Sequence, residues 1–287
     1  VSESITITDN RTGESFEMPI ANGGVDSSAW KKNLPGLWFN DPGFTTTSSC
    51  ESAITDIKGA EGILRYRGYP IEQLAKDSNY LEVAYLLLNG ELPNQTEYDQ
   101  WKHDITHHTY VHENFRRHFI DSFQYNAHPM GMLMSGIAAL GTFYPEAKDI
   151  EDPENRKLQI TRLIAKLPTL AAASYRYSIG MPYVYPDNDL DFATNFLSMM
   201  FKVAEDKYEC DPAIREALDI LFILHADHEQ NCSTTTARTV GSAHADPYSA
   251  IAAASGALYG PRHGGANEAV LNMLDEIGDY SEVESFI

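Results

Sequence analysis

Apolar and polar positions alternate with period two only near the N-terminus of this chain; from about residue 70 onward the period lengthens to that of helices. Ser4-Ile5-Thr6-Ile7-Thr8 and Ser15-Phe16-Glu17-Met18 flank the turn-forming Asp9-Asn10-Arg11-Thr12-Gly13, a pattern that predicts a hairpin. Thr45 to Ser49 is polar and β-prone, and Ile54 to Tyr66 predicts a second hairpin with glycines in its turn. From Pro70, the spacing of Ile71, Leu74, Leu81, Val83, Ala84, Leu87 and Leu88 predicts helix, broken near Asp77-Ser78-Asn79 and ended by Asn89-Gly90. Further helices are predicted over 94–110, 112–124, 129–143, 154–166, 168–179, 189–203, 211–228, 247–259 and 267–277. The fold class is therefore mainly α, multi-helical, with a small β-rich N-terminal region. No internal repeat or long linker interrupts it.

Composition narrows the function. The 287 residues carry 21 basic and 41 acidic side chains, a formal charge of −20. That balance disfavours nucleic acid and anionic membranes as partners, while a few local arginines or helix N-termini still suffice for an anionic substrate. Cys50, Cys210 and Cys232 are odd in number and far apart, so no disulfide framework is expected. With no signal-peptide start and no apolar run near membrane-spanning length, a cytoplasmic protein is expected.

Two segments concentrate the chemistry. In Gly260-Pro261-Arg262-His263-Gly264-Gly265-Ala266-Asn267 a histidine sits between a helix-stopping Gly-Pro pair and two glycines that open the next helix. The first amides of that helix, expected to start near Asn267, have no internal partner and suit an anion or a developing oxyanion. A histidine there can donate to a carbonyl oxygen or move a proton near neutral pH. Upstream lies Leu224-His225-Ala226-Asp227-His228-Glu229-Gln230-Asn231, at the end of a helix opened by Asp211-Pro212. Its apolar stripe, Ile214, Ala217, Leu218 and Leu221, continues to His225 and His228, which predicts both histidines on a buried face. The alanine-rich helix from Tyr248 to Tyr259 is expected to pack tightly and aim the His263 loop.

These segments, with Asp41-Pro42-Gly43-Phe44, Gly62 to Ile71, His128-Pro129-Met130 and Tyr175 to Gly180, resemble the citrate synthases, and specifically the bacterial members that assemble as hexamers. The likeness runs essentially along the whole chain. It implies that His228 holds a carboxylate of oxaloacetate and that His263 stabilises the enol form of acetyl-CoA. His225 and Asn231 are secondary candidates beside the substrate. No permanent cofactor and no metal are implied; acetyl-CoA is a substrate. Self-association is implied as a dimer, or as a hexamer built from three dimers, with helices around 94–143 supplying the two-fold contact. Three divisions follow: a β-rich region over 1–66, a large helical domain over 67–263, and the opening of a small domain over 264–287.

The resemblance also carries a departure. Family members continue far past the position of Ile287, and that part carries a second histidine in a Gly-x-Gly-His segment, the proton-abstracting aspartate, carboxylate-binding arginines and most CoA contacts. No Gly-x-Gly-His occurs here, and His244 stands in the wrong context to replace it. The chain alone is therefore expected to be inactive. Three other readings stand beside the main one: a 2-methylcitrate synthase acting on propionyl-CoA, a catalytically silent assembly module, and a metallohydrolase using His225, Asp227, His228 and Glu229. Arg162 and Lys166, four apart on one helix, form a candidate anion pocket with Tyr144, in a region comparable to the NADH site of some hexameric relatives. His103, His107, His108, His112 and His118 read as a wetted helix face, and the tyrosines from Tyr175 to Tyr185 as core or interface aromatics.

Overall fold

The computed structural model describes residues 3–287, which form two compact units, one ending at Ser52 and the other spanning Ala53–Ile287. In the first, strands β1 (Ser4–Asp9) and β2 (Glu14–Ala21) form the expected hairpin, with Ile5 opposite Met18 and Ile7 opposite Phe16. Its turn closes because Arg11 clasps the Asp9 carboxylate, bringing that acid down to about 2, and because Gly13 takes a left-handed φ of 79°. A short β3 (Gly24–Val25) extends the sheet, and Asp26 caps helix α1 (Ser27–Asn33). The β-prone Thr45–Thr47 stretch forms no strand. Its three amides and three hydroxyls all donate to the Asp41 carboxylate, so the groups a strand would pair are already spent.

The larger unit opens with the second hairpin, β4 (Thr55–Lys58) and β5 (Ile63–Tyr66), joined through Gly62 at φ 68° and followed by β6 (Tyr69–Pro70). The sheet order is β4-β5-β6, so β4 is an edge strand. Helices α2 (Ile71–Asp77) and α3 (Tyr80–Asn89) break where the sequence predicts. Asn79 and Glu82 form a reciprocal capping box at the start of α3, and Gly90 ends it in the left-handed conformation. Then come α4 (Gln95–Thr106), α5 (Glu113–His118), α6 (Pro129–Leu140), α7 (Pro153–Ser178), α8 (Phe192–Phe201), α9 (Pro212–Leu224), α10 (Cys232–Gly241), α11 (Pro247–Tyr259), α12 (Gly264–Ile277) and the short α13 (Val283–Phe286). The fold is mainly helical, and among the described residues no helix is long and apolar enough to cross a membrane.

Three departures from the sequence pattern bear on the site. The helices predicted over 154–166 and 168–179 are one, α7, which runs through Pro168. Proline removes one N–H and crowds the carbonyl four residues back, a cost that a helix packed against α4, α6, α8 and α11 absorbs. Second, the polar run after Asn231 becomes helix α10. Asn231 caps it, Thr236 and Thr239 return their hydroxyls to carbonyls one turn back, and its length lies against α11. Third, α9 ends at Leu224 rather than 228, and its predicted buried stripe faces outward: Ile214 is 57% and Leu221 49% exposed. The inward face carries Phe222 and the fully buried Ile223, which pack with residues of α2 and α3. An apolar stripe shows amphipathicity but does not choose between two apolar faces.

Helix α7 lies at the centre of this unit. Leu163 and Leu170 join Phe115, Ile137, Leu140 and Tyr248 in the main core cluster. Its buried polar side chains tie down crossing segments. Lys166 Nζ donates to the carbonyls of His108 and Tyr110, and Thr169 Oγ1 to that of Thr109. Arg176, 2% exposed, donates to Pro182, Met200 and Lys202. Among the described residues no buried side-chain nitrogen or oxygen lacks a partner. Arg176→Ala strands three carbonyls and removes the packed stem, so it should cost about 3 kcal/mol or more in urea unfolding. Arg117→Ala, which loses only an exposed ion pair to Glu113, should cost less than about 1 kcal/mol.

Candidate functional site

The loop from His225 to Asn231 is fixed between α9 and α10 by hydrogen bonds that the helical pattern does not foretell. The His225 amide closes the last turn of α9 onto Leu221 O, and its ring Nδ1 meets the same carbonyl at 2.8 Å. The ring's Nε2 then remains to face a ligand. The buried Tyr66 hydroxyl reaches Leu224 O at 3.3 Å and Asp227 O at 3.0 Å, while Thr55 donates to the Asp227 carboxylate. These ties end the helix by pulling the chain towards the β4–β5 hairpin. His225 and His228 are consequently exposed, not buried as the helical extrapolation predicts. Asn231 commits its side-chain oxygen to the Thr234 amide and the Ser233 hydroxyl as the cap of α10, which leaves its Nδ2 for a ligand.

The second segment is a tight turn between α11 and α12. Helix α11 packs along α6 and α10, with Tyr248 fully buried and its hydroxyl on the Gln159 amide oxygen at 3.1 Å. Beyond its end, the amides of His263 and Gly265 both donate to Gly260 O. Helix α12 begins at Gly264, three residues earlier than predicted, and His263 is its cap residue by backbone position, with no side-chain capping bond. The glycines serve a close approach of backbone to backbone. A Cβ on Gly264 would lie 2.2 Å from Leu258 O, and one on Gly265 would lie 3.2 Å from Gly260 O. The turn thus presents an exposed imidazole from a rigid base beside a helix N-terminus.

The third set, Tyr144, Arg162 and Lys166, is brought together. The Arg162 guanidinium stacks 4.4 Å from the Tyr144 ring centroid and pairs with Glu146 at 2.6 Å, which holds that carboxyl below its usual range. Lys166 approaches the same ring at 5.8 Å, and burial lowers its ammonium to about 8. Both cations already have internal partners. Elsewhere, His103 and His107 stack at 3.8 Å on the exposed end of α4, and Tyr177 and Tyr183 pack against the main core. Among the described residues no group of three or more His, Cys, Asp or Glu is arranged to hold a metal. Two hollows of about 500 Å³ flank α7, one apolar between Leu163, Phe192, Phe222 and Ile251, the other mixed between Trp101, Asp104 and Lys157. Neither is lined by the histidine segments.

Residues 43–287 match the family model described as "Citrate synthase, C-terminal domain". The chain is 52% identical over 297 aligned residues to a peroxisomal citrate synthase of Dictyostelium discoideum, covering 99% of this chain and 60% of the relative. A second citrate synthase of that organism is 48% identical, with 99% and 58% covered. The chain therefore spans about 60% of the length of the curated relatives it matches. Among solved structures, citrate synthase from Pyrobaculum aerophilum superposes with a TM-score of 0.76 at 38% identity, covering 83% of this chain and 60% of that one. Citrate synthase from Thermoplasma acidophilum, solved in ternary complex with carboxymethyl coenzyme A and oxaloacetate, gives 0.77 at 29% identity, with 85% of this chain and 62% of that one covered.

The two glycines of the turn differ in how much room they have. Gly264→Ala should lower the melting temperature markedly more than Gly265→Ala, because the former drives a methyl to 2.2 Å from a backbone oxygen and the latter only to 3.2 Å. Equal melting temperatures for the two variants in a thermal scan would contradict the close approach.

Proposed function

Because the chain belongs to the citrate synthase family, we propose that it forms the large-domain part of an acyltransferase that condenses acetyl-CoA with oxaloacetate and water to give citrate and CoA. The observation that carries this reading is the His263 turn. Its imidazole is not spent on capping, and its backbone is locked by two bonds to Gly260 O and the tight fit at Gly264. Removing a proton next to a thioester builds charge on the thioester oxygen. A histidine N–H fixed at that oxygen stabilises the enol form, and a pre-set donor of this kind contributes about 3–4 kcal/mol. His228 binds a carboxylate of oxaloacetate, with His225 Nε2 and Asn231 Nδ2 as neighbouring polar groups. The proton-abstracting carboxylate and the histidine that polarises the ketone belong, in this reading, to the part of the relatives that the chain does not span.

The same reading sets the organisation. Residues 1–66 are a β-rich region, 67–263 the large domain and 264–287 the opening of a small domain that closes over substrate and excludes water. The enzyme needs no permanent cofactor and works in the cytoplasm as a homodimer, or as the hexamer of the bacterial type, with helices around 94–143 at the two-fold contact. Acetyl-CoA, rather than the propionyl-CoA of a 2-methylcitrate synthase, is the acyl donor, in keeping with the relatives' names. Tyr144, Arg162 and Lys166 form a regulatory site for an anionic nucleotide, which would exchange its phosphate for Glu146 on Arg162.

Release of free CoA thiol by the complete protein tests the chemistry. His263→Ala should lower kcat about 10²- to 10³-fold, while His228→Ala should mainly raise the KM for oxaloacetate. The 287-residue chain alone should release no CoA above background, since groups that act together are strongly non-additive. Robust oxaloacetate-dependent release by the short chain, or an unchanged kcat for His263→Ala, would show that the roles are misassigned.

For the regulatory site, NADH titration of the complete enzyme should saturate in the parent and not in Arg162→Ala. Identical titrations would remove the site from consideration.

A further inference from the structure

We infer that Glu229 is a positioning residue: the edge of the β4–β5 hairpin holds its carboxylate, and through it the loop that presents His228 to oxaloacetate. The inference rests on the functional reading given above and concerns a residue with no part in that chemistry. Glu229 has φ 56°, the left-handed region that a side chain adopts only when its surroundings compel it. Two bonds supply the compulsion. The Glu229 amide donates to Asp227 Oδ2 at 3.0 Å, and the Ile57 amide donates to Glu229 Oε1 at 3.2 Å.

The hairpin side of this clamp is regular. Because β4 is an edge strand, Ile57 has an amide that no neighbouring strand takes up, and the Glu229 carboxylate occupies its place. Two residues earlier, Thr55 donates to Asp227, so alternate residues of β4 meet alternate residues of the loop. Asp227 is also held through its carbonyl by the Tyr66 hydroxyl. His228 lies between the two anchored acids and is itself exposed. Fixing the residues on either side limits the arc the imidazole can sweep, which is the preorganisation a carboxylate ligand requires.

Glutamine keeps the oxygen that accepts from Ile57, alanine removes it, and glycine removes it while relaxing the left-handed backbone. In the complete protein, Glu229→Gln should retain the parent KM for oxaloacetate. Glu229→Ala and Glu229→Gly should each raise it about tenfold, the loss of roughly one hydrogen bond's worth of preorganisation, with kcat little changed. Glu229→Gly should melt no lower than Glu229→Ala, so that weakened binding is separated from weakened folding. His228→Ala, measured alongside, distinguishes the two levels of the argument. If it leaves the KM unchanged, the functional reading fails and the clamp with it. If it raises the KM while Glu229→Ala and Glu229→Gly stay at the parent value, the clamp alone is wrong. Glutamine as damaging as alanine would also overturn the inference, because the charge and not the tie would then be what acts.

Discussion

The helices α4, α6, α8 and α11 pack on α7, which is largely buried without leaving a polar side chain stranded. A 26-residue helix passing through a core brings polar side chains with it, and the segments crossing it bring carbonyls that have no strand partner. The two needs cancel. Lys166 and Thr169 take the carbonyls of residues 108–110, and Arg176 takes those that lead into and out of α8. Each such bond is worth little as a net gain, but each would be expensive to leave unmade. The irregular segments at 108–110 and around α8 are therefore tied to α7 by side chains rather than left to solvent.

The two histidine segments are held by separate routes. Gln159 on α7 holds the Tyr248 hydroxyl at the start of α11, and α11 in turn carries the His263 turn at its far end. The loop at His228 is fixed instead by the β4–β5 hairpin, through Tyr66, Thr55 and Ile57. One histidine is aimed by a helix and the other by a sheet edge. The hairpin that looks peripheral in the sequence is thus part of what shapes the candidate site.

The sequence revealed most where a local rule decides the outcome. The break near Asp77-Ser78-Asn79, the stop at Gly90, the Asp211-Pro212 helix opening and both hairpin turns follow from residue type and spacing alone. It misled where partners distant in the chain decide. His225 and His228 continue the α9 stripe on a helical wheel, yet Tyr66, more than 150 positions earlier, captures the backbone first. The threonine-rich α10 has weak intrinsic helix preference and gains its structure from α11. That Gly264 is needed at all is likewise set at a distance, by the backbone carbonyl of Leu258 that would lie 2.2 Å from a Cβ there.

Lys166 carries a thermodynamic corollary of its burial. Its ammonium is lowered from 10.5 to about 8 by loss of hydration, with Arg162 adding repulsion, whereas in the unfolded chain it returns to the ordinary value. Between those two limits the unfolded chain binds the proton that the folded chain has released, so this residue makes stability rise with pH across the window. Each unit of the depression is worth about 1.4 kcal/mol. Below pH 8 the whole penalty is present, and above 10.5 it has vanished. A neutral amine still has two hydrogens, one for each of the carbonyls at His108 and Tyr110, so deprotonation relieves the desolvation without cutting the ties. Mild alkali acts on this part of the core as a stabilising co-solute would.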